Sequence, residues 1–433
     1  MAMASILRDS GFNPIVIDQR VQPNWRELLH ENINDSLWLG FSLMVGPSII
    51  HALDVAKVAK KWRNDIPIVC GGNWPTVAAK ITLSNYLVDY IVVGSGDHAV
   101  VSLTKYFLGE NKNLPDCVYS KEDINNINES TIKFEQVTPI KSSYWRTSYD
   151  VIPDINLYKS SNNAAALFAA SSCPYGKWKF CSIMQPYEYY VREPNDILDE
   201  VSFLVNDKCF SVIFFLDGLF FVNRQHTLEL VKGFKDRQFK MEWKGRVRSN
   251  SFEKFTPKDI NLFKETGLKV VAAGFESGSD KVLKSIIKGV KAKDAFKLAR
   301  ICNDYELELQ ASYLFGLPGE TVEDLKLTIE HIERIKDISK KFYYSNYFYA
   351  PIPGTESYDE FVKLGGEVPS TLDQWGKALW EEVGISNVPW LSNKEKDKYM
   401  TIYNNYFKPT IKEEQNESAK GIFEFRHKSH EVS

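Results

Sequence analysis

The sequence predicts two α/β units in tandem: a doubly wound, mostly parallel sheet over residues 1–110 and an incomplete parallel β/α barrel of six units over 161–365. Three observations support this. Short β-branched runs alternate with amphipathic helical stretches, the helices lengthen after a polar linker at 111–160, and glycine-rich or polar turns follow nearly every strand. With 433 residues, 44% of them hydrophobic, the chain can bury more than one core.

In the first unit PIVID (14–18), LWLGFS (37–42), IPIVC (66–70) and DYIVV (89–93) read as buried strands. Between them Ala52, Val55, Ala56 and Ala59 fall at helical spacing, and Val100, Leu103 and Phe107 form a second stripe, so both segments read as helices covering a sheet. The turns Gly71-Gly72-Asn73 and Gly94-Ser95-Gly96-Asp97 follow strands, where such folds seat ligands, and Trp74, Ser95 and Asp97 are expected along that sheet edge. The chain opens on a helix, so the strand that would precede it is missing. Residues 111–160 are rich in Asn, Asp, Ser and Lys, contain Pro139 and Pro153, and read as a linker with room for a hairpin.

Six further strands are expected at 164–170, 211–216, 240–247, 269–275, 308–315 and 342–349, with helices at 197–206, 225–234, 293–305 and 322–335 between them. Residues 366–433, rich in Lys, Glu, Trp and Tyr, read as a helical extension ending in a polar tail.

Fifty-three Lys and Arg against 56 Asp and Glu leave a net charge of −3 with no run of like charge, which points away from nucleic acid and anionic membranes. No stretch approaches the roughly 20 apolar residues of a membrane span, and the start lacks the apolar run of a signal peptide, so a cytoplasmic location is expected. The six cysteines are scattered, which suits reduced thiols better than a disulfide framework.

Functional loops of β/α barrels follow the carboxyl ends of the strands. Those positions hold SSCPYGKWKFCS (171–182), Asp217, Arg248, Glu276-Ser277-Gly278-Ser279, Gly316-Leu317-Pro318-Gly319-Glu320, and Pro351 with Pro353-Gly354-Thr355. Glycines and prolines merely punctuating turns account for any one of these but poorly for the set. Asp217 and Tyr349 are candidates for a substrate pocket.

The motifs CPYGKWKFCS, GFESGS, YLFGLPGETVEDLKLTI and APIPGTESYDE resemble the radical S-adenosylmethionine (SAM) superfamily, in the group whose barrel follows a Rossmann-like, cobalamin-binding-type domain. The resemblance spans roughly residues 5–365 and implies a partial (β/α)6 barrel with a 4Fe-4S cluster and SAM. It implies further that Cys173 and Cys181 are iron ligands, while the middle position of the three-cysteine motif is Lys177. With one residue inserted, Cys173, Lys177 and Cys181 are similar in spacing to the CxxxCxxxC of the radical SAM diol-dehydratase of aminoglycoside biosynthesis. A lysine ligand must first lose its proton, which costs about 4.6 kcal/mol at pH 7, so a solvated Lys177 is the simpler expectation. Cys70, Cys117, Cys209 and Cys302 offer no third thiolate, because they lie in the first unit or the linker, at the far end of the barrel, or inside a helix.

By the same resemblance Glu276 would bind the methionyl ammonium of SAM, Ser277 and Arg248 would lie near its carboxylate and ribose, and Phe180 and the 315–320 stretch, with Gly316, Pro318 and Gly319, would frame the adenine. A helix-start acid is the plainer role for Glu276. In the first unit Arg20 stands where a cobalt-ligating His would be, so cobalamin is not expected to bind. Two readings stay open. One is an enzyme acting on a small-molecule or natural-product intermediate, with flavodoxin or ferredoxin as electron donor. The other is a cluster-free descendant that binds SAM or a protein partner, or uses SAM as a polar electrophile; the enzyme is favoured.

Overall fold

The computed structural model describes residues 2–97, 99–127, 145–152, 154–159, 163–182, 189–378 and 384–418. Pro139, Pro153 and the end of the polar tail lie outside these residues. In the first sheet β1 (Leu39–Ser42), β2 (Ile68–Gly71) and β3 (Tyr90–Val92) run parallel in that order. Helix Pro47–Trp62 buries Ile49, Ala52, Leu53, Ala56 and Ala59, the stripe read from the sequence, with proline near its start where a missing N–H costs nothing.

Two expectations fail here. Residues 14–18 form no strand: Asp18 opens a turn closed by the amides of Val21 and Gln22, and its carboxylate is forked by Arg20 at 2.9 and 2.6 Å, so the run ends in local hydrogen bonds rather than a ladder. The linker, in turn, supplies β4 (Val118–Ser120), which pairs antiparallel to β3 and closes that edge of the sheet.

The second sheet has six strands, β5 (Ala164–Leu167), β8 (Val212–Phe215), β9 (Glu242–Arg246), β10 (Leu268–Glu276), β11 (Glu308–Phe315) and β12 (Phe342–Phe348), parallel and neighbouring in chain order. A short antiparallel pair, β6 (Ala170–Ser171) and β7 (Tyr190–Val191), stands beside it. All six expected barrel strands are present. Along β11, buried Leu309, Ala311, Tyr313 and Phe315 alternate with half-buried Glu308, Gln310, Ser312 and Leu314. The buried set joins the core beneath the helices, and the other set faces the concave side of an unclosed barrel. Phe215, Phe221, Phe234, Trp243 and Phe263 fill the helix-facing core, which absorbs much of the aromatic content.

The C-terminal extension ties the molecule together. Helix Leu372–Lys377 returns to the first sheet, where Trp375 meets Trp74 at 4.8 Å and Asp373 accepts from Asn85 at 2.9 Å. Helix Asn393–Ser418 sends Tyr403 and Phe407 against Phe315. Among the described residues no helix is long and apolar enough to cross a membrane.

Candidate functional site

The carboxyl ends of the barrel strands gather most of the expected residues, bound together differently from the sequence reading. Glu276 ends β10 with φ +63°, where the register against β11 shifts, a backbone state that non-glycine residues rarely adopt and that costs on the order of 1–3 kcal/mol. Its Oε1 accepts from Lys288 Nζ at 2.7 Å, and both residues are buried. Lys288 also lies 4.0 Å from the Trp178 ring centroid and 5.8 Å from that of Phe180. Gly274 makes room for this pair: a Cβ there would stand 2.3 Å from Glu276 Oε1.

Arg248 donates from Nη2 to the carbonyls of Lys288 and Gly289 at 3.0 Å each, and its guanidinium sits 3.9 Å over the Tyr175 ring. Tyr175 donates to Ile287 O at 3.0 Å and Trp178 Nε1 to Lys288 O at 3.3 Å. The cysteine loop is thereby fastened to residues 286–289. Tyr175, Trp178 and Lys288 had no role in the sequence reading, although Lys288-Gly289 directly after a short helix was a visible signal of a cation beside a tight turn.

Ser277 is buried against helix Val322–Ile338, its hydroxyl 3.1 Å from Thr328 Oγ1, and serves to anchor the loop. Phe180 packs with Leu317 and Tyr349, so the end of β12, the 316–320 loop and the cysteine loop share one apolar cluster. In that loop Glu320 turns back to accept the amides of Gly316 and Leu317, while Ile385 covers Gly316; Pro318 is buried and Gly319 exposed. Asp217 is buried and accepts the amides of Ala169 and Ala170, which fixes the entry to the cysteine loop. Burial raises its pKa to about 6, against the pull of those amides. Tyr349, 6% exposed, is likewise a packing residue in this state.

Cys173 is buried and Cys181 half-buried, while Lys177 between them is exposed. All six cysteines are described and none is in a disulfide; Cys209 is exposed before β8, at the opposite barrel end, and Cys302 is buried in helix Asp294–Asp304. Among the described residues no three His, Cys, Asp or Glu side chains form a metal-holding group. The donor set therefore matches two of the three thiolates that a SAM-type cluster takes.

In the first domain Gly72 has φ +94°, and a Cβ there would meet Ser42 Oγ at 2.8 Å. Thr76 joins this turn to the next, donating to Gly72 O at 2.8 Å and accepting from Gly94 N at 2.9 Å. Asn73 Oδ1 is buried without a hydrogen-bond partner among the described residues, an acceptor open to a ligand at the carboxyl ends of the sheet. Ser95 and Asp97 are half-buried there, whereas Trp74 is fully buried beneath Trp375 and lines no edge.

Residues 1–104 match the family described as B12 binding domain, and residues 176–332 match the radical SAM superfamily. The chain is 24% identical over 326 residues to an uncharacterized methyltransferase of Pyrococcus horikoshii, covering 72% of this chain and 66% of that protein. It is 22% identical to the anaerobic magnesium-protoporphyrin IX monomethyl ester cyclase of Rubrivivax gelatinosus, covering 75% of this chain and 60% of the relative. The chain thus spans less than two thirds of the length of these relatives. The radical SAM methyltransferase TsrM of Kitasatospora setae, solved with cobalamin and a 4Fe-4S cluster, has the same fold at a TM-score of 0.68 and 16% identity, over 84% of this chain and 74% of TsrM.

These matches correct one expectation. Cobalamin was not expected because Arg20 replaces the axial His, yet the first 104 residues fall within the B12 binding domain family and the fold neighbour holds cobalamin. The glycine turns after β2 and β3 persist although Arg20 is engaged with Asp18, so that single position was a poor guide. Along the chain, a segment of the B12 binding domain family at 1–104 is thus followed by a segment of the radical SAM superfamily at 176–332.

Proposed function

We propose that this chain is an enzyme that uses SAM, with cobalamin on its first domain, to transfer a one-carbon group to a small organic molecule in the barrel lumen. The observation that carries this reading is the convergence of Glu276, Arg248, Trp178 and Phe180 with the cysteine loop at one barrel mouth. Glu276 already accepts an ammonium from Lys288 beside two aromatic rings, so the recess is built for a cation such as the methionyl ammonium. Trp178 and Phe180, stacked within 12° of parallel, offer flat faces for adenine. The glycine turns and Asn73 of the first domain would hold cobalamin, whose cobalt supplies methyl-carrying chemistry when bound. Two curated relatives named for methyl transfer, those of Pyrococcus horikoshii and Streptomyces wedmorensis, support the reaction class. Cys173 and Cys181 alone do not complete a cluster site, and nothing in this reading depends on one.

The incomplete thiolate set and the lysine already occupying Glu276 favour a second reading, a non-catalytic SAM-binding descendant. Calorimetric titration with SAM, absorbance of the desalted protein after incubation with hydroxocobalamin, and SAM turnover under reducing, anaerobic conditions separate them. The enzyme binds both molecules and consumes SAM; binding without consumption supports the descendant, and failure to bind SAM overturns both.

A further inference from the structure

The concave face of the barrel carries two cations that the mouth does not use. Cross-strand partners on one face link Ala166 of β5, Phe214 of β8 and Lys244 of β9, and the next row up links Arg246 of β9, Ala272 of β10 and Gln310 of β11. Lys244 and Arg246 are two residues apart on one strand, so their side chains leave the same face with backbone positions about 6.6 Å apart. Lys244 is half-buried, donates to Gln310 Oε1, and lies 5.7 Å from the Phe214 ring centroid. Arg246 is exposed, and the one hydrogen bond of its side chain among the described residues is a 3.5 Å contact to Leu216 O. Neither makes an ion pair there, unlike Arg192, Arg224 and Lys288, each of which has a carboxylate within 2.7 Å. Beside them Phe168 is 53% exposed and Leu216 37%, an apolar surface that helix packing leaves uncovered.

We propose that this face is the substrate seat: Lys244 and Arg246 bind the anionic oxygens of a carboxylate or phosphate, and Phe168, Phe214 and Leu216 contact the apolar remainder of the molecule. The inference rests on the reading of the mouth as the SAM site, since Arg246 lies one row below Arg248 on the way to Glu276. Glu242, two residues before Lys244, is drawn to Lys269 at 3.8 Å, and Glu308 on the same concave face of β11 offsets the mutual repulsion of the two cations only in part; an anion placed between them relieves the rest while satisfying their open donors. Burial, with Arg246 adding to it and Glu308 of β11 opposing, lowers the Lys244 pKa to about 8, so a fraction of this lysine is a neutral amine near neutrality.

That amine makes the seat testable without knowing the substrate. The protein is treated with 4-formylbenzoate, pyridoxal 5′-phosphate or uncharged benzaldehyde, then borohydride, and modified peptides are mapped by mass spectrometry. The Lys244 amine adds to the aldehyde, water leaves, and borohydride delivers hydride to the imine carbon, fixing a secondary amine. The expected result is that the anionic aldehydes label Lys244 ahead of surface lysines with a half-maximal rate near pH 8. Arg246→Met should slow the anionic aldehydes about tenfold relative to benzaldehyde, whose own rate falls only as far as the loss of Arg246 raises the Lys244 pKa and reduces the free amine, tenfold being the scale of one charge-assisted contact. Preference for formylbenzoate assigns a carboxylate, and preference for pyridoxal phosphate a phosphate. Equal labelling by charged and neutral aldehydes, or by wild type and Arg246→Met, overturns the proposal. Lys244→Arg, which keeps the charge and removes the amine, checks the assignment of the peptide. Titrating SAM into the same proteins keeps the two readings apart: anion selectivity lost with SAM binding intact removes only the seat, whereas absent SAM binding in the wild type removes the reading of the mouth.

Discussion

At the scale of single residues, the Glu276–Lys288 ion pair is the feature on which the proposed SAM site rests. Both side chains are buried and lie 2.7 Å apart as an ion pair. Lys288→Met leaves a buried carboxylate without its counter-charge and should cost about 3–5 kcal/mol in urea unfolding, whereas Lys288→Met with Glu276→Met should recover most of it. Equal loss in the single and double variants would mean that the pair is not coupled. For ligand binding, Glu276→Gln should weaken SAM by about 1.5–3 kcal/mol in calorimetry, the value of a hydrogen bond to a charged group. An unchanged affinity would move the ammonium site elsewhere.

His331 provides a residue-scale test of packing. Its Nε2 lies 2.9 Å from Ala292 O, which can only accept, so Nε2 carries the proton and Nδ1 accepts from Tyr313 OH at 2.9 Å. Burial lowers its pKa to about 4, below the unfolded value near 6.5, with Arg334 also lowering it and Asp280 opposing. The unfolded chain therefore takes up the proton first as pH falls. The stability this ring contributes is full above about pH 6.5 and is lost on the way down to pH 4, on the order of 3 kcal/mol across the window. Urea midpoints measured through that range should fall with pH in the wild type and fall less in His331→Gln.

At the scale of elements, the barrel was legible because apolar strand runs alternate with helical stretches along the chain, and strands such as β11 alternate a helix-facing apolar residue with a lumen-facing one, as in Leu309, Ala311 and Tyr313. The first sheet was less legible. Residues 14–18 have strand composition, but the Asp18–Arg20 fork closes a local turn, a side-chain event that periodicity does not register. Conversely, β4 is three residues long inside a polar stretch, and its place is fixed by pairing with β3 rather than by its own pattern. The return of the extension to the first sheet was invisible for the same reason, since the 4.8 Å contact of Trp375 with Trp74 joins residues far apart in sequence. Trp375→Ala should cost about 3–5 kcal/mol, as for a large buried aromatic, and free the 372–377 helix to early proteolysis. If cleavage is no faster than in the wild type, the extension is held by other contacts.

At the scale of the whole molecule, the C-terminal extension reaches both units, with Trp375 against Trp74 and Phe407 against Phe315. The strand-end positions of Glu276, Arg248 and the cysteine loop were readable from sequence because β/α order fixes which residues follow strands. The partners they take were not: Lys288 on Glu276, Thr328 on Ser277 and the amides of Ala169 and Ala170 on Asp217 depend on how neighbouring loops fold back. Cobalamin was not expected because Arg20 replaces the axial His and the first strand is missing, and the match of residues 1–104 to the B12 binding domain family overturns both grounds.

The proposed SAM recess at the mouth lies beside a thiolate set that is one donor short at exposed Lys177. The direct measurement is iron and acid-labile sulfide retained per chain after anaerobic reconstitution and desalting with SAM present, for wild type, Lys177→Cys and Lys177→Ala. Little iron should be retained in the wild type and in Lys177→Ala, and about four irons with sulfide in Lys177→Cys, whose thiolate completes the set with Cys173 and Cys181. A full complement of iron and sulfide in the wild type that survives Lys177→Ala would contradict it.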